Sequence, residues 1–159
     1  SGPRNEDYLY SDAQFFYDYA KEHYSEEKVI VYGRSLGGSF AVKVAADNQP
    51  KAVILEATFF NLQDIVNRWL PKQVTDKVSP TMTYHFLSNE NIAKVEVPLY
   101  HFHGTKDNVV PIKSGKKLLE IFKKSQPTIK KKFIEISGAT HDDLINYAEF
   151  VEKMKKILK

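Results

Sequence analysis

Short apolar runs alternate along this chain with stretches of helical period. Residues 28–32, 52–55, 98–102 and 132–136 read as strands, the first with Val29, Ile30 and Val31 buried on both sides. Between them the apolar positions recur at helical spacing. Phe15, Phe16, Tyr19 and Ala20 form one face of a helix that begins at a capping box, Ser11-Asp12-Ala13-Gln14. Phe40, Ala41, Val44 and Ala45 mark a small-residue helix, and residues 114–122 read as another. Leu144, Tyr147, Val151 and Met154 share a face of the last helix, with Asp142 and Asp143 as its expected caps. Helix and strand in alternation predict the α/β class: a parallel sheet covered by helices.

Residues 58–95 break this rhythm. Leu62, Ile65, Val66, Trp69 and Leu70 fall on one stripe of a short amphipathic helix, and Pro71 and Pro80 interrupt the chain beyond it. The stretch reads as a helical insertion over the sheet, within a single domain spanning 1–159.

Composition narrows the function classes. The chain has 159 residues, 42% apolar and 27% charged, as in ordinary globular proteins. A net charge of +3, from 23 basic and 20 acidic residues, is too balanced to argue for nucleic acid. With no cysteine there is no thiolate nucleophile, disulfide framework or cysteine-held zinc. No apolar run is long enough to span a bilayer. The polar start lacks both an initiator Met and a signal-peptide core, so a processed or truncated chain is expected. The lysines at 153, 155, 156 and 159 suit a helix C-terminus and a solvated face; a patch for acidic partners is the other reading.

The chemistry concentrates in Gly33-Arg34-Ser35-Leu36-Gly37-Gly38, between a strand and a small-residue helix. A strand that turns directly into a helix holds the bend residue in a strained conformation, with its side chain above the sheet edge. Neighbours two positions away must be small, a need that Gly33 and Gly37 meet. The Leu36 N–H, at the helix start, can stabilise a developing oxyanion. A strand, a glycine turn and a helix also describe a dinucleotide site, with Glu56 near the position of a ribose-binding acid. That motif wants glycine where Ser35 stands, and a P-loop would need a following Gly-Lys-Ser/Thr.

A serine hydroxyl needs a base, and the base an orienting carboxylate. Asp107 comes after the strand at 98–102, and His141 after the strand at 132–136. Taken singly, Asp107 is a turn former and His141 a loop histidine. The order Ser, Asp, His, each just after a strand, makes them a triad. His101 and His103 alternate on one strand face; they read as packing or hydrogen-bonding groups, the alternative being a pair of metal ligands without an evident third. His23 and His85 have no evident partner. No metal and no cofactor are called for.

These segments resemble the α/β-hydrolase superfamily, in particular its abhydrolase and serine-aminopeptidase-like branch. Residues 33–38 look like the nucleophile elbow, His103-Gly104-Thr105-Lys106-Asp107-Asn108-Val109-Val110-Pro111 is similar to the acid loop, and Gly138-Ala139-Thr140-His141 to the histidine loop. Residues 58–95 sit where that family inserts its lid. The resemblance implies a serine hydrolase acting on a small acyl ester or thioester; an amide substrate, or a binding role on the same fold, are the alternatives. Phe59, Phe60, Leu62 and Trp69, with Leu70, are expected either to line an acyl pocket or simply to pack the lid. It also implies strands upstream of residue 28 that are absent here, with one loop carrying a second oxyanion donor. The opening Ser1-Gly2-Pro3-Arg4-Asn5 resembles the loop after the family's fourth strand. The edge left open is expected to be covered by a missing N-terminal half or by another chain.

Overall fold

The structure is a computed structural model that describes residues 5–159. Of the opening Ser1-Gly2-Pro3-Arg4-Asn5 compared with a family loop, residues 1–4 lie outside that range. Four parallel strands, β1 (Ile30–Arg34), β2 (Ala52–Glu56), β3 (Leu99–Gly104) and β4 (Lys131–Ile136), form one sheet in chain order. The connections carry α2 (Leu36–Asp47) between β1 and β2, and α6 (Ile112–Ser125) between β3 and β4. Three short helices fill the β2–β3 connection, α3 (Leu62–Trp69), α4 (Lys72–Val78) and α5 (Ser88–Asn91), with 3₁₀ turns at Ser79–Thr81 and Ile92–Lys94. The first helix, α1 (Glu6–His23), packs on α2, and α7 (Ala148–Leu158) ends the chain.

Period-two alternation sends each strand's side chains to two cores. Val53, Leu55 and Leu99 meet Ala41, Val42 and Ala45 of α2 and Leu118, Leu119 and Phe122 of α6. Ala52, Ile54, Tyr100, Phe102, Ile134 and Ile136 meet Leu144 and Phe150 on the other face. Every residue of β2 is buried, as expected of an inner parallel strand. Burying a side chain such as Phe102 or Phe122 stabilises the fold by about 1.5–3 kcal/mol.

β1 behaves differently. It begins at Ile30, after a 3₁₀ turn at Glu26–Lys28, and runs two residues beyond the expected end. Val29, Ile30 and Val31 are not buried on both sides, and Tyr32 is 50% exposed. The reason is position: β1 is an edge of the sheet, and among the described residues nothing pairs with its outer side. Apolar side chains alone do not say how many neighbours a strand has.

α1 starts at Glu6, not at the Ser11 capping box. Asn5 accepts a hydrogen bond from the Tyr8 N–H at 2.9 Å, and Glu6 and Asp7 suit the positive end of the helix dipole. Its buried residue is Tyr17, whereas Phe15, Phe16 and Tyr19 are exposed. Asp142 and Asp143 do not cap α7 either. A 3₁₀ turn at Leu144–Asn146 intervenes; Asp143 accepts from the Thr140 N–H at 2.7 Å, and Asp142 pairs with Arg34.

The β2–β3 segment lies against the body of the fold. Phe59 and Phe86 pack with Val110, joined by Tyr10, Phe40, Leu62 and Ile65. Glu6 accepts from the backbone N–H groups of His85 and Phe86, tying the start of α1 to this segment. Among the described residues no helix is long and apolar enough to cross a membrane.

Candidate active site

The parallel register aligns the carboxyl ends of the strands: Arg34 pairs with Glu56, and Gly104 with Ile136. Chain leaving these ends therefore rises on one rim of the sheet, where ligands gather in open α/β folds.

Ser35 stands at the end of β1 with φ 52° and ψ −122°. Its N–H still donates to the Glu56 carbonyl at 2.8 Å, as a last rung of the β1–β2 ladder, while the next residue opens α2. A non-glycine residue at positive φ stores about 1–3 kcal/mol. Close packing beneath the bend holds it there. A Cβ on Gly33 would collide with the Gly37 carbonyl and lie 2.7 Å from the Ala41 Cβ, and one on Gly38 would lie 2.7 Å from the Thr58 Cβ. Gly37 departs from expectation: a Cβ there meets nothing within 4 Å. It borders an open groove lined by Phe16, Val31, Tyr32 and Phe40, beside the outer edge of β1. The steric demand expected at both Gly33 and Gly37 therefore holds only at Gly33, and Gly38 carries one that the motif does not announce. Leu36, first residue of α2, has an N–H without an intrahelical acceptor, next to Ser35 in the chain.

Asp107 lies three residues beyond β3 and is 6% exposed. One carboxylate oxygen, Oδ1, accepts the N–H groups of Val109 at 2.9 Å and Val110 at 2.8 Å. The other, Oδ2, faces His141 Nδ1 at 2.8 Å and His103 Nε2 at 3.4 Å. Burial by itself would raise its pKa. Hydrogen bonds from His103, His141 and the Val110 N–H, with the charge of His141, outweigh burial and hold Asp107 well below the usual carboxylate range.

His141 lies beyond β4 and is 8% exposed. Its Nε2 lies 3.0 Å from Ser35 Oγ. Because Asp107 only accepts, Nδ1 carries the proton and Nε2 is free to accept from the serine hydroxyl. Residues 35, 107 and 141 of the chain thus form one hydrogen-bonded line from hydroxyl to imidazole to carboxylate.

Further residues build this line, and the sequence motifs assign them no role. Arg34 donates to the His141 carbonyl at 3.0 Å, pairs with Asp142, and holds its Nε 3.4 Å from Glu56 Oε1. Glu56 also accepts from the Tyr32 hydroxyl, so the candidate ribose acid is engaged inside the protein. The acid and histidine loops are stitched together: Lys106 N–H to the Ala139 carbonyl at 2.9 Å, Gly138 N–H to Thr105 Oγ1 at 2.9 Å. They approach so closely that a Cβ on Gly104 would land on the Ala139 backbone. Gly138, at φ 81°, makes the turn into the histidine loop. Of these, Gly104 and Gly138 are visible as glycines within the loop motifs; Arg34 and Thr105 carry no local signal.

The residues considered for an acyl pocket have different surroundings. Phe59 and Leu62 pack with Phe86 and Val110, and Phe60 leans on the α2–α6 core. Trp69 is 57% exposed, with the Arg68 guanidinium over its ring. A cleft of about 540 Å³ lies beside the β1 edge, lined by Ile30, Tyr32, Ile54, Ile145 and Phe150, with Arg34, Glu56 and Asp142 along its polar side. His101 and His103 are fully buried; among the described residues no group of three or more potential ligands is placed to hold a metal ion.

A helix-flanked parallel sheet whose rim holds a serine on a strained strand-to-helix bend, with a carboxylate and a histidine from later strands, defines an α/β-hydrolase. Comparison with known proteins gives the same answer. The family model described as serine aminopeptidase, S33, matches residues 3–90, and the chain belongs to this family. It is 32% identical over 148 residues to protein bem46 of Schizosaccharomyces pombe, covering 90% of this chain and 48% of that protein. It is 27% identical over 160 residues to human alpha/beta hydrolase domain-containing protein 17B, covering 99% and 51%. The chain thus spans about half the length of these relatives. Among solved structures, an esterase of Pyrococcus furiosus superposes with a TM-score of 0.71 at 16% identity, over 99% of this chain and 63% of that one, a likeness of fold.

Proposed function

We propose that this protein is a serine hydrolase that cleaves a small acyl ester or thioester through Ser35, His141 and Asp107. The observation that carries the reading is the pair of hydrogen bonds at His141, 3.0 Å to Ser35 Oγ and 2.8 Å to Asp107. Ser35 Oγ attacks the substrate carbonyl while its proton passes to His141 Nε2. Asp107 keeps the imidazole in the Nδ1–H tautomer and stabilises the imidazolium. The Leu36 N–H donates to the oxyanion of the tetrahedral intermediate. That intermediate collapses as His141 returns the proton to the leaving oxygen or sulfur, leaving an acyl-serine. Water, deprotonated by His141, then releases the acid and restores the hydroxyl.

In this reading residues 58–95 act as the lid, and sequence upstream of α1 supplies strands against β1 together with a second oxyanion donor. A donor of that kind is worth on the order of 10²–10³ in rate. The open β1 edge and the exposed Phe15, Phe16 and Tyr19 support that pairing. No nucleic-acid partner belongs to the reading.

The test is labelling of the full-length protein with a fluorophosphonate probe. Labelling that disappears in Ser35→Ala supports the reading; a folded protein that never labels overturns it in favour of a binding role. The family's aminopeptidase description favours a second substrate class, the amide bond. Paired p-nitrophenyl ester and aminoacyl-anilide substrates separate the two.

A further inference from the structure

Behind Asp107 lie two more buried imidazoles, His103 and His101. His103 Nε2 lies 2.9 Å from the Val110 carbonyl and 3.4 Å from Asp107 Oδ2. Both partners are pure acceptors, so Nε2 bears a proton whatever the charge of the ring. On its far side, His103 Nδ1 faces His101 Nε2 at 3.4 Å, with room for one proton between them. His101 is the last of these groups. Its Nδ1 is buried and has no hydrogen-bond partner among the described residues, and burial followed by the neighbouring His103 drives its pKa well below the ordinary histidine value. A neutral His101 with a bare Nδ1 carries its proton on Nε2 and donates it toward His103.

The packing around this pair leaves little freedom. Both rings are fully buried, and Phe133 of β4 stacks on His103 at 6.1 Å between centroids. Gly115 of α6 presents bare backbone to them; a Cβ there would lie 2.7 Å from His103 Nδ1 and 2.8 Å from His101 Cε1. Exposed loop residues do not need such support, but Asp107 does. It lies between β3 and α6, and its carboxylate must present one oxygen to His141 at a fixed angle. Val109 and Val110 hold Oδ1. Among the described residues, the two histidines are the groups that address Oδ2.

We propose that His103 is a positioning residue of the site: its Nε2–H clamps the acid loop through the Val110 carbonyl and Asp107 Oδ2, aims that oxygen at His141, and is itself oriented by His101. The inference rests on the reading of Ser35, His141 and Asp107 as the triad. Its physical content, a second imidazole donor on the carboxylate, is open to measurement apart from activity.

The experiment combines ¹⁵N imidazole spectra of the full-length protein with kinetics on a p-nitrophenyl ester. In the wild type, His103 is expected as the Nε2–H tautomer. In His103→Phe, which keeps ring bulk without the donor, the His141 Nδ1–H resonance should shift and broaden, and kcat should fall on the order of 10–10²-fold. KM should stay within a factor of about two, because the substrate-facing side of the site is untouched. His103→Gln, whose amide N–H reaches about the place of Nε2, should recover most of the loss. Three results would each overturn the proposal: a wild-type His103 protonated at Nδ1 alone, an unchanged His141 resonance in folded His103→Phe, or a Gln variant no better than Phe. If His103→Phe fails to fold, the wild-type tautomer and the Gln variant still decide. Failure of the hydrolase reading would look different: no Ser35-dependent turnover in the wild type, with the tautomers as described.

Discussion

Arg34 donates to the backbone carbonyl of His141 at 3.0 Å, so the turn that carries the serine also holds the loop that carries the histidine. The contact spans 107 residues of sequence and joins the outer strand of the sheet to the loop after its last strand. Arg34→Met keeps much of the aliphatic stem and removes every donor. It is expected to slow fluorophosphonate labelling of Ser35 by about 10–10²-fold, the cost of a misplacement near 1 Å. Arg34→Lys should not restore it, because one ammonium cannot serve the His141 carbonyl, Asp142 and Glu56 in the geometry of a guanidinium. Wild-type labelling rates in Arg34→Met would refute the argument.

The bend at Ser35 makes a prediction about stability. At φ 52° a side chain is strained and glycine is not. Ser35→Gly should therefore be more stable than Ser35→Ala by about 1 kcal/mol, read as a difference in urea midpoint at equal m-value.

Two glycines of one motif should respond in opposite ways. Gly33→Ala drives a methyl into the Gly37 carbonyl and the Ala41 side chain, and is expected to cost about 1–3 kcal/mol. Gly37→Ala meets open space inside α2 and should gain up to about 1 kcal/mol in this chain from helix propensity alone. Thermal melts of the two variants check both signs. Equal destabilisation would place unseen structure over Gly37.

Buried charge sets the acid limit of the fold. Asp107 has a folded pKa below its unfolded value of about 3.8, so its stabilisation is present above that value and is lost as pH falls beneath it. His101 has a folded pKa well below 6.5, so below pH 6.5 the unfolded chain binds a proton that the folded one refuses. Stability should fall by up to about 1.4 kcal/mol per pH unit from this group alone. His101→Phe should flatten the stability curve between about pH 6.5 and 5, and Asp107→Asn should flatten it below about pH 4. Urea titrations across pH separate the two windows; a His101→Phe curve parallel to the wild type would contradict the first.

Much of the site is legible in the order of residues, for a local reason. Apolar runs bounded by turns mark strands, and Ser35, Asp107 and His141 each sit in the turn just after one. In a parallel sheet every such turn lies on the same rim, so chain order alone places them together. Phe133, Ile134 and Ile136, or Val53, Ile54 and Leu55, announce strands without outside help.

The features that escape a reading of the sequence depend on contacts between distant segments. Arg34 and Thr105 look like solvent-facing residues until the loops they join are folded against each other. His101 and His103 read as packing or hydrogen-bonding groups without a named partner, because only the fold shows Asp107 and Gly115 closing around them. Aromatic spacing marks Phe15, Phe16 and Tyr19 as one apolar face of α1 but does not say which neighbour is present; within this chain Tyr17 turns inward and Phe16 does not. The same holds for β1, whose Ile30 and Val31 look like residues of an inner strand. Sequence determines local geometry and strand direction, because those follow from backbone sterics and side-chain period. The tertiary structure alone decides which surfaces meet, because burial depends on what comes to lie on the other side.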